Sequence, residues 1–256
     1  MEFIDSHSHL FSEKFKDDRE EVIENAIKAG VKKMMLPNIN QETVEDMMEL
    51  AMKYPANCFP MLGLHPCDVK EDFKSVLAKM KPLFTQDKFY GVGETGIDLH
   101  WDKSTLELQK EALKIQIDWA KEFDLPIIIH ARESYDELFE VFDTYNDELL
   151  KGVFHCFTGS EEQARHILSY GNFKLGIGGV VTFKNSNLGE TLKHIDIQNI
   201  LLETDSPYLA PHPNRGKRNE SSFLIYIASK LSEVYSIPIE EVAEITTNSA
   251  KELFKF

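Results

Sequence analysis

Residues 4–10, IDSHSHL, end the first apolar run of the chain with two imidazoles, His7 and His9, and no glycine. Both features bear on the fold. In extended backbone, residues i and i+2 face the same way, so the two rings look out together from a strand end, as half of a metal site would. A polar loop that happens to hold two histidines is the plainer alternative, and only the rest of the chain decides between them. The missing glycine matters as much: an open doubly wound sheet places a glycine-rich phosphate turn after its first strand, and DSHSHL offers none.

Downstream, short runs of β-branched and other apolar residues alternate without a break with longer segments of helical period. Strands are expected at 3–5, 32–37, 59–64, 89–94, 126–130, 152–157, 173–178 and 199–204. Helices are expected near 17–29, 41–53, 71–84, 104–123, 134–145, 160–170 and 187–194, with two more at 220–235 and 239–254. Gly30 and Gly171 stand where a helix end takes a left-handed residue, and Ser104 and Ser160 where an N-cap belongs. Eight strand–helix units joined by short connections predict an α/β protein built as a (β/α)8 TIM barrel, with residues 1–256 as a single domain.

At 256 residues the chain has the length of one such barrel. No apolar run reaches the roughly 18 residues of a membrane span, and residues 1–10 lack the basic start and apolar stretch of a signal peptide, so a cytoplasmic protein is expected. Cys58, Cys67 and Cys156 are odd in number and lack C-x-x-C spacing, which argues against a disulfide framework or a zinc ribbon. Cys67 follows a His-Pro pair, yet a cysteine is more often a small buried hydrophobe than a nucleophile. The net charge of −15 excludes a protein that coats nucleic acid through a broad basic face. Most of the acid lies on helical stretches such as DDREEVIENAIKAG (17–30), where a solvated outer face accounts for it.

In a closed barrel the chemistry sits at the C-terminal ends of the strands. Strand one leads to His7 and His9, strand three to His65, strand four to Glu94, strand five to His130, strand six to His155 and strand eight to Asp205. Strands two and seven offer mainly Asn38 and the glycines Gly176, Gly178 and Gly179, which leave room rather than bind. Any one of these polar residues alone reads as a hydrogen-bonded core group. Gathered at one mouth, histidines and carboxylates form the nitrogen and oxygen donor set that suits two divalent ions. Two such ions polarise an oxygen and lower the pKa of a shared water, which predicts hydrolysis without choosing among phosphoesters, amides and lactones.

The segments DSHSHL, GLHP, VGETGID, PIIIHARES, GVFHCFTGS, GIGGVVTFKNS, LLETDSPYLAP, RGKRNE and NSAKELF, in this order, resemble the TatD family of metal-dependent hydrolases, often described as TatD-type deoxyribonucleases, within the amidohydrolase-like barrels. The resemblance spans nearly the whole chain. It implies that His7, His9 and Asp205 hold one ion, that His130 and His155 hold a second, and that Glu94 serves both. It also implies two divalent cofactors (Mg, Mn or Zn), Asp205 or the water it contacts handling the proton, Glu203 supporting the site from the same strand face, and His65 and Arg132 near the substrate phosphate. The chain departs from the common family pattern at Ser8, Cys67, Thr95 and Ser221, none of which removes an implied ligand.

PHPNRGKRNE (211–220) adds Arg215, Lys217 and Arg218 on the loop after strand eight, where barrels often bind phosphate. His100 and Trp101 could stack on a base at the rim, although a loop aromatic is as often packing. The expected function is a divalent-metal phosphodiesterase, a deoxyribonuclease trimming single-stranded or damaged DNA ends, with no membrane and no obligate protein partner. The alternatives are an ester or amide hydrolase acting on a small or aminoacyl substrate, and a non-catalytic accessory barrel, which needs an incomplete ligand set. Phosphotriesterase-type barrels bridge their ions with a carboxylated lysine on strand four; here Glu94 stands there instead.

Overall fold

Strands and helices alternate from end to end in the computed structural model, which describes residues 1–256. β1 (Phe3–Asp5), β2 (Val31–Pro37) and β3 (Cys58–Met61) pair in parallel, as do β4 (Val92–Asp98), β5 (Ile127–Arg132), β6 (Gly152–Phe154), β7 (Phe173–Ile177) and β8 (Ile200–Leu202). Backbone hydrogen bonds bridge both seams. Between β3 and β4, Gly93 N donates to Leu62 O at 2.9 Å and Leu62 N to Gly91 O at 3.1 Å. Between β8 and β1, Ser6 N donates to Leu202 O and Asp205 N to His7 O, each at 2.9 Å. The ring of eight strands is thereby closed, and the expected (β/α)8 barrel is the observed fold.

The outer helices are α1 (Arg19–Lys28), α2 (Val44–Lys53), α3 (Phe73–Met80), α4 (Leu106–Glu122), α5 (Tyr135–Tyr145), α6 (Glu161–Ser169) and the short α7 (Leu188–Leu192), followed by α8 (Leu224–Tyr235) and α9 (Ile239–Phe254). No helix is long and apolar enough to cross a membrane. Gly30 and Gly171 end α1 and α6 at φ 98° and 92°, and Ser160 forms a capping box with Gln163. Ser104 does not cap α4. Its hydroxyl donates to Asp102 at 2.6 Å, and Thr105 takes the cap position without a side-chain bond.

Two cores follow from the period of two along each strand. Side chains such as Phe3, Met34, Leu36, Ile127, Ile129, Phe154, Ile200 and Leu202 pack outward against the helices. Ile4, Met35, Phe59, Met61, Ile128, Val153 and Leu201 fill the interior, where Ala250, Leu253 and Phe254 of α9 join them. Burying each such side chain contributes about 1.5–3 kcal/mol. This apolar layer floors the barrel beneath the mouth.

The fourth strand runs later than expected, from Val92 to Asp98 instead of 89–94, so Glu94 lies inside it. Its glycines suggest a turn, but they serve close approach. Gly96, at φ 141°, lies against the His130 backbone so tightly that a Cβ there would fall on the His130 carbonyl.

Candidate metal centre

The inner apolar layer decides which polar residues reach the mouth. Two residues beyond Ile128, Val153 and Leu201 come His130, His155 and Glu203, each on the interior face directly above it. β1 ends at Asp5, before its histidines, but His7 and His9 remain held as extended chain: Ser8 N donates to Met35 O at 3.0 Å and His9 N to Ser206 O at 2.7 Å. Asp205 follows β8 in the left-handed region, φ 55°.

The Glu94 carboxylate lies at the centre, 2 % exposed. Its Oε2 is 3.2 Å from His7 Nε2 and 3.4 Å from His9 Nε2, and Asp205 Oδ1 lies 3.8 and 3.6 Å from the same two nitrogens. Its Oε1 is 2.8 Å from both His130 Nδ1 and His155 Nε2. The two imidazole nitrogens on each side are 3.2 Å (His7, His9) and 3.3 Å (His130, His155) apart. Donor atoms at bonds of about 2.0–2.1 Å around one ion sit roughly 3.0–3.4 Å from one another, so both groups have the spacing of a coordination sphere. The donor set fits divalent metal, and Glu94 presents one oxygen to each group.

Hydrogen bonds separate the ligand role from other roles among the remaining rings. His130 turns Nε2 to Asp98 Oδ2 at 2.9 Å, so Nε2 carries the proton and Nδ1 offers a lone pair to the centre. His65 has the opposite arrangement: Nδ1 accepts from Cys67 N at 3.1 Å, which leaves Nε2–H pointing at Glu94 Oε1 at 3.3 Å. The neutral His65 ring is thus a donor to oxygen, in keeping with its expected place at the substrate phosphate. Asp98 was not singled out by sequence reading. It is buried, accepts from His100 N and Trp101 N, and is fixed through its backbone by Gln109, while Gln116, seven residues on along the same face of α4, holds Leu64 and Thr95. Asp98→Asn is expected to weaken Mn²⁺ binding by about 10–100-fold with an unchanged melting temperature, measured by titration calorimetry. Unaltered affinity would remove Asp98 from the account.

A second residue missed in the sequence is Asp5. Its carboxylate takes Thr204 Oγ1 at 2.6 Å, Thr204 N at 2.9 Å and His7 N at 3.3 Å, tying the two loops that carry His7 and Asp205. Burial pushes its carboxyl up to about 7. Glu203 accepts from Cys156 N at 2.6 Å and has Oε1 3.6 Å from His155 Nδ1, in space that a side chain at Gly176 would fill.

Charge is unevenly held across the centre. Burial alone would raise the Glu94 carboxyl, but the imidazoles around it, His155 foremost, hold it well below the usual range. Burial lowers His9, yet hydrogen bonds to Asp205 and Glu94 outweigh it and lift the ring from 6.5 to about 9. His155 and His130 are raised against burial by Glu94, and by Asp98 in the case of His130, while burial and the nearby His155 charge lower His7. The His9 imidazolium therefore stabilises the fold fully below 6.5, an effect lost as pH rises through about 9. Metal needs the neutral ring, so affinity for Mn²⁺ is expected to rise with pH up to that value, about tenfold per pH unit for each proton expelled. Calorimetry in buffers of different ionisation enthalpy counts those protons; a count of zero at pH 7 contradicts the ligand role of these rings.

The residues expected to meet substrate are not all free to do so. Arg132 reaches the rim, with its guanidinium 5.4 Å from the exposed Trp101 ring, and His100 pairs with Glu133 at 2.7 Å. Arg215 and Lys217 are exposed. Arg218 is committed elsewhere: it bonds both oxygens of Asp18 at 2.6 and 2.8 Å, Glu220 at 3.1 Å and Lys14 O, over the Phe15 ring. The expectation that Arg218 binds phosphate is corrected on that ground, because the two acids already satisfy its charge. Burial and the Asp98 charge push the Cys67 thiol up to about 12, opposite to an activated nucleophile.

A family model described as "TatD related DNase" matches residues 4–255. The chain is 41 % identical over 253 residues to the uncharacterized metal-dependent hydrolase YabD of Bacillus subtilis, covering 98 % of both chains. It is 31 % identical over 253 residues to the 3'-5' ssDNA/RNA exonuclease TatD of Salmonella typhimurium, covering 96 % of both. The crystal structure of YjjV, a TatD homologue from Escherichia coli K12, superposes with a TM-score of 0.93 at 30 % identity, over 99 % of this chain and 98 % of that one. With the barrel and the His/Glu clusters of its mouth, these matches lead to one conclusion: the chain belongs to the TatD family of metal-dependent hydrolases.

Proposed function

We propose that the whole chain, residues 1–256, works as one domain, a divalent-metal-dependent phosphodiesterase of the cytoplasm that trims the ends of single-stranded DNA. The observation that carries this reading is the Glu94 carboxylate, with the imidazoles of His7 and His9, which Asp205 also faces, at one oxygen and those of His130 and His155 at the other. His7, His9, Asp205 and Glu94 would hold one ion, and His130, His155 and Glu94 a second, the metal being Mg, Mn or Zn. Bound there, divalent ions supply Lewis acidity toward a phosphoryl oxygen and bring the pKa of water toward neutrality.

The chain's own residues supply the rest. Asp205, whose carboxyl the neighbouring imidazoles hold below its ordinary value, accepts the proton of the attacking water. His65 Nε2–H and the Arg132 guanidinium donate to phosphate oxygens as negative charge builds on them. Glu203 keeps the His155 loop in place through Cys156 N. The exonuclease name of the Salmonella relative supports a nucleic-acid substrate. The acidic body supports capture at a strand end rather than tracking along a duplex. The test is incubation of end-labelled single-stranded DNA with Mn²⁺- or Mg²⁺-loaded protein: mononucleotides should accumulate, and an intact substrate rejects the reading. In a panel that adds carboxylic esters and amides, hydrolysis of those alone would install the small-molecule alternative.

A further inference from the structure

Beside the centre, the loops after β7 and β8 enclose a cavity of about 310 Å³ lined by Thr182, Phe183, Lys184, Asn185, His212 and Arg215. On a protein of net charge −15, this lining holds two fixed cations and a histidine and no acid. The Arg215 guanidinium lies 3.7 Å from the Phe183 ring centroid, so an aromatic face positions it, whereas Arg218, three residues on, is spent on Asp18 and Glu220. An arginine set on a ring keeps its N–H edge open to a planar or tetrahedral oxyanion. The two walls are fastened together, since His212 N donates to Thr182 Oγ1 at 2.8 Å and Gly179 lies against Leu209 O and Pro211 N.

A short span of chain links the cavity to the centre. A Cβ on Gly178 would lie 3.6 Å from Glu203 O, and Thr182 is four residues further, under about 14 Å of chain. Tyr208 and Leu209, two of the large apolar side chains left exposed, sit between the Asp205 turn and this cavity, and Tyr208 has its ring 6.2 Å from His9. Apolar faces flanked by cations suit a chain of bases and phosphates.

We infer that the Phe183–Lys184–Arg215 cavity is an anchoring site for an upstream phosphodiester of a single strand whose end lies at the metal centre. The inference rests on the reading of the enzyme as one that acts on nucleic-acid strands, and it specifies the substrate: an oligonucleotide, not a lone phosphate ester. Its test separates the two. Binding of a fluorescein-labelled deoxydecamer with hydrolysis-resistant phosphorothioate links to the Mn²⁺-loaded protein is followed by anisotropy for the wild type and for Lys184→Gln/Arg215→Gln. Both side chains are exposed, so the double variant should melt as the wild type does.

The expected result is at least tenfold weaker binding of the decamer by the variant, with the slope of log K against log salt reduced by about 1.4 for two lost phosphate contacts. Absence of decamer binding by the wild type, or affinity within twofold and an equal slope in the variant, overturns the site. A mononucleotide or inorganic phosphate that binds the wild type as tightly as the decamer overturns the strand-anchoring role and makes the cavity a site for free phosphate. Binding that behaves as expected beside a protein inert toward DNA with metal would sink the phosphodiesterase reading and leave the anchor standing.

Discussion

Glu94→Gln is expected to lower metal-dependent turnover by at least about 10³-fold, equivalent to about 4 kcal/mol of lost transition-state stabilisation. The Glu94 carboxylate spans the centre: one oxygen lies against His7 and His9, the other against His130 and His155. The amide keeps the volume and one acceptor but gives up the charge proposed to hold two cations together, so bound metal should fall from two ions to none at micromolar concentration. The fold should survive, because the ring of strands is held by backbone bonds and by an interior apolar layer to which Glu94 does not belong. Metal analysis, a thermal melt and kcat/KM on one preparation check the three parts together. Turnover within tenfold of the wild type would refute the shared role of this carboxylate.

Asp205→Asn should produce a different defect. Asp205 lies against His7 and His9, so the donors of His130, His155 and Glu94 all remain in place. Asparagine tolerates the left-handed backbone found there, φ 55°, so little strain is added. Expected are one retained ion, a weakened second, and turnover reduced by about 10²–10⁴-fold, the range of a lost general base. The variant should also lose the basic lift on His9, whose proton is held by Asp205 and Glu94 together. Metal content equal to that of Glu94→Gln would show that the two halves are not independent.

The barrel was legible because its period-two strands and 3.6-period helices alternate without interruption, and because strand ends carry polar residues at matching places. Of the six residues implied as ligands, four imidazoles gather round the Glu94 carboxylate and Asp205 faces two of them. Asp98 escaped notice for a local reason: VGETGID reads as a glycine-rich turn, and placing the strand end at Glu94 put Asp98 in a loop, whereas Gly93 and Gly96 are there so that β4 can press against β5. Asp5 was hidden in a similar way, as the first acid of a segment whose histidines drew attention, although it clamps Thr204 nearly two hundred residues away. Arg218 shows the opposite error. A cation in RGKRNE looks available until the fold brings Asp18 of the first loop against it, a pairing that no local spacing discloses.

Anomalous diffraction from crystals equilibrated with Mn²⁺ examines the arrangement most directly. Two peaks are predicted, one enclosed by His7, His9, Asp205 and Glu94, the other by His130, His155 and Glu94, with His65 Nε2 outside both coordination spheres. A map without density at either position, in crystals shown by spectroscopy to contain manganese, would contradict the assignment of this mouth as a two-metal centre.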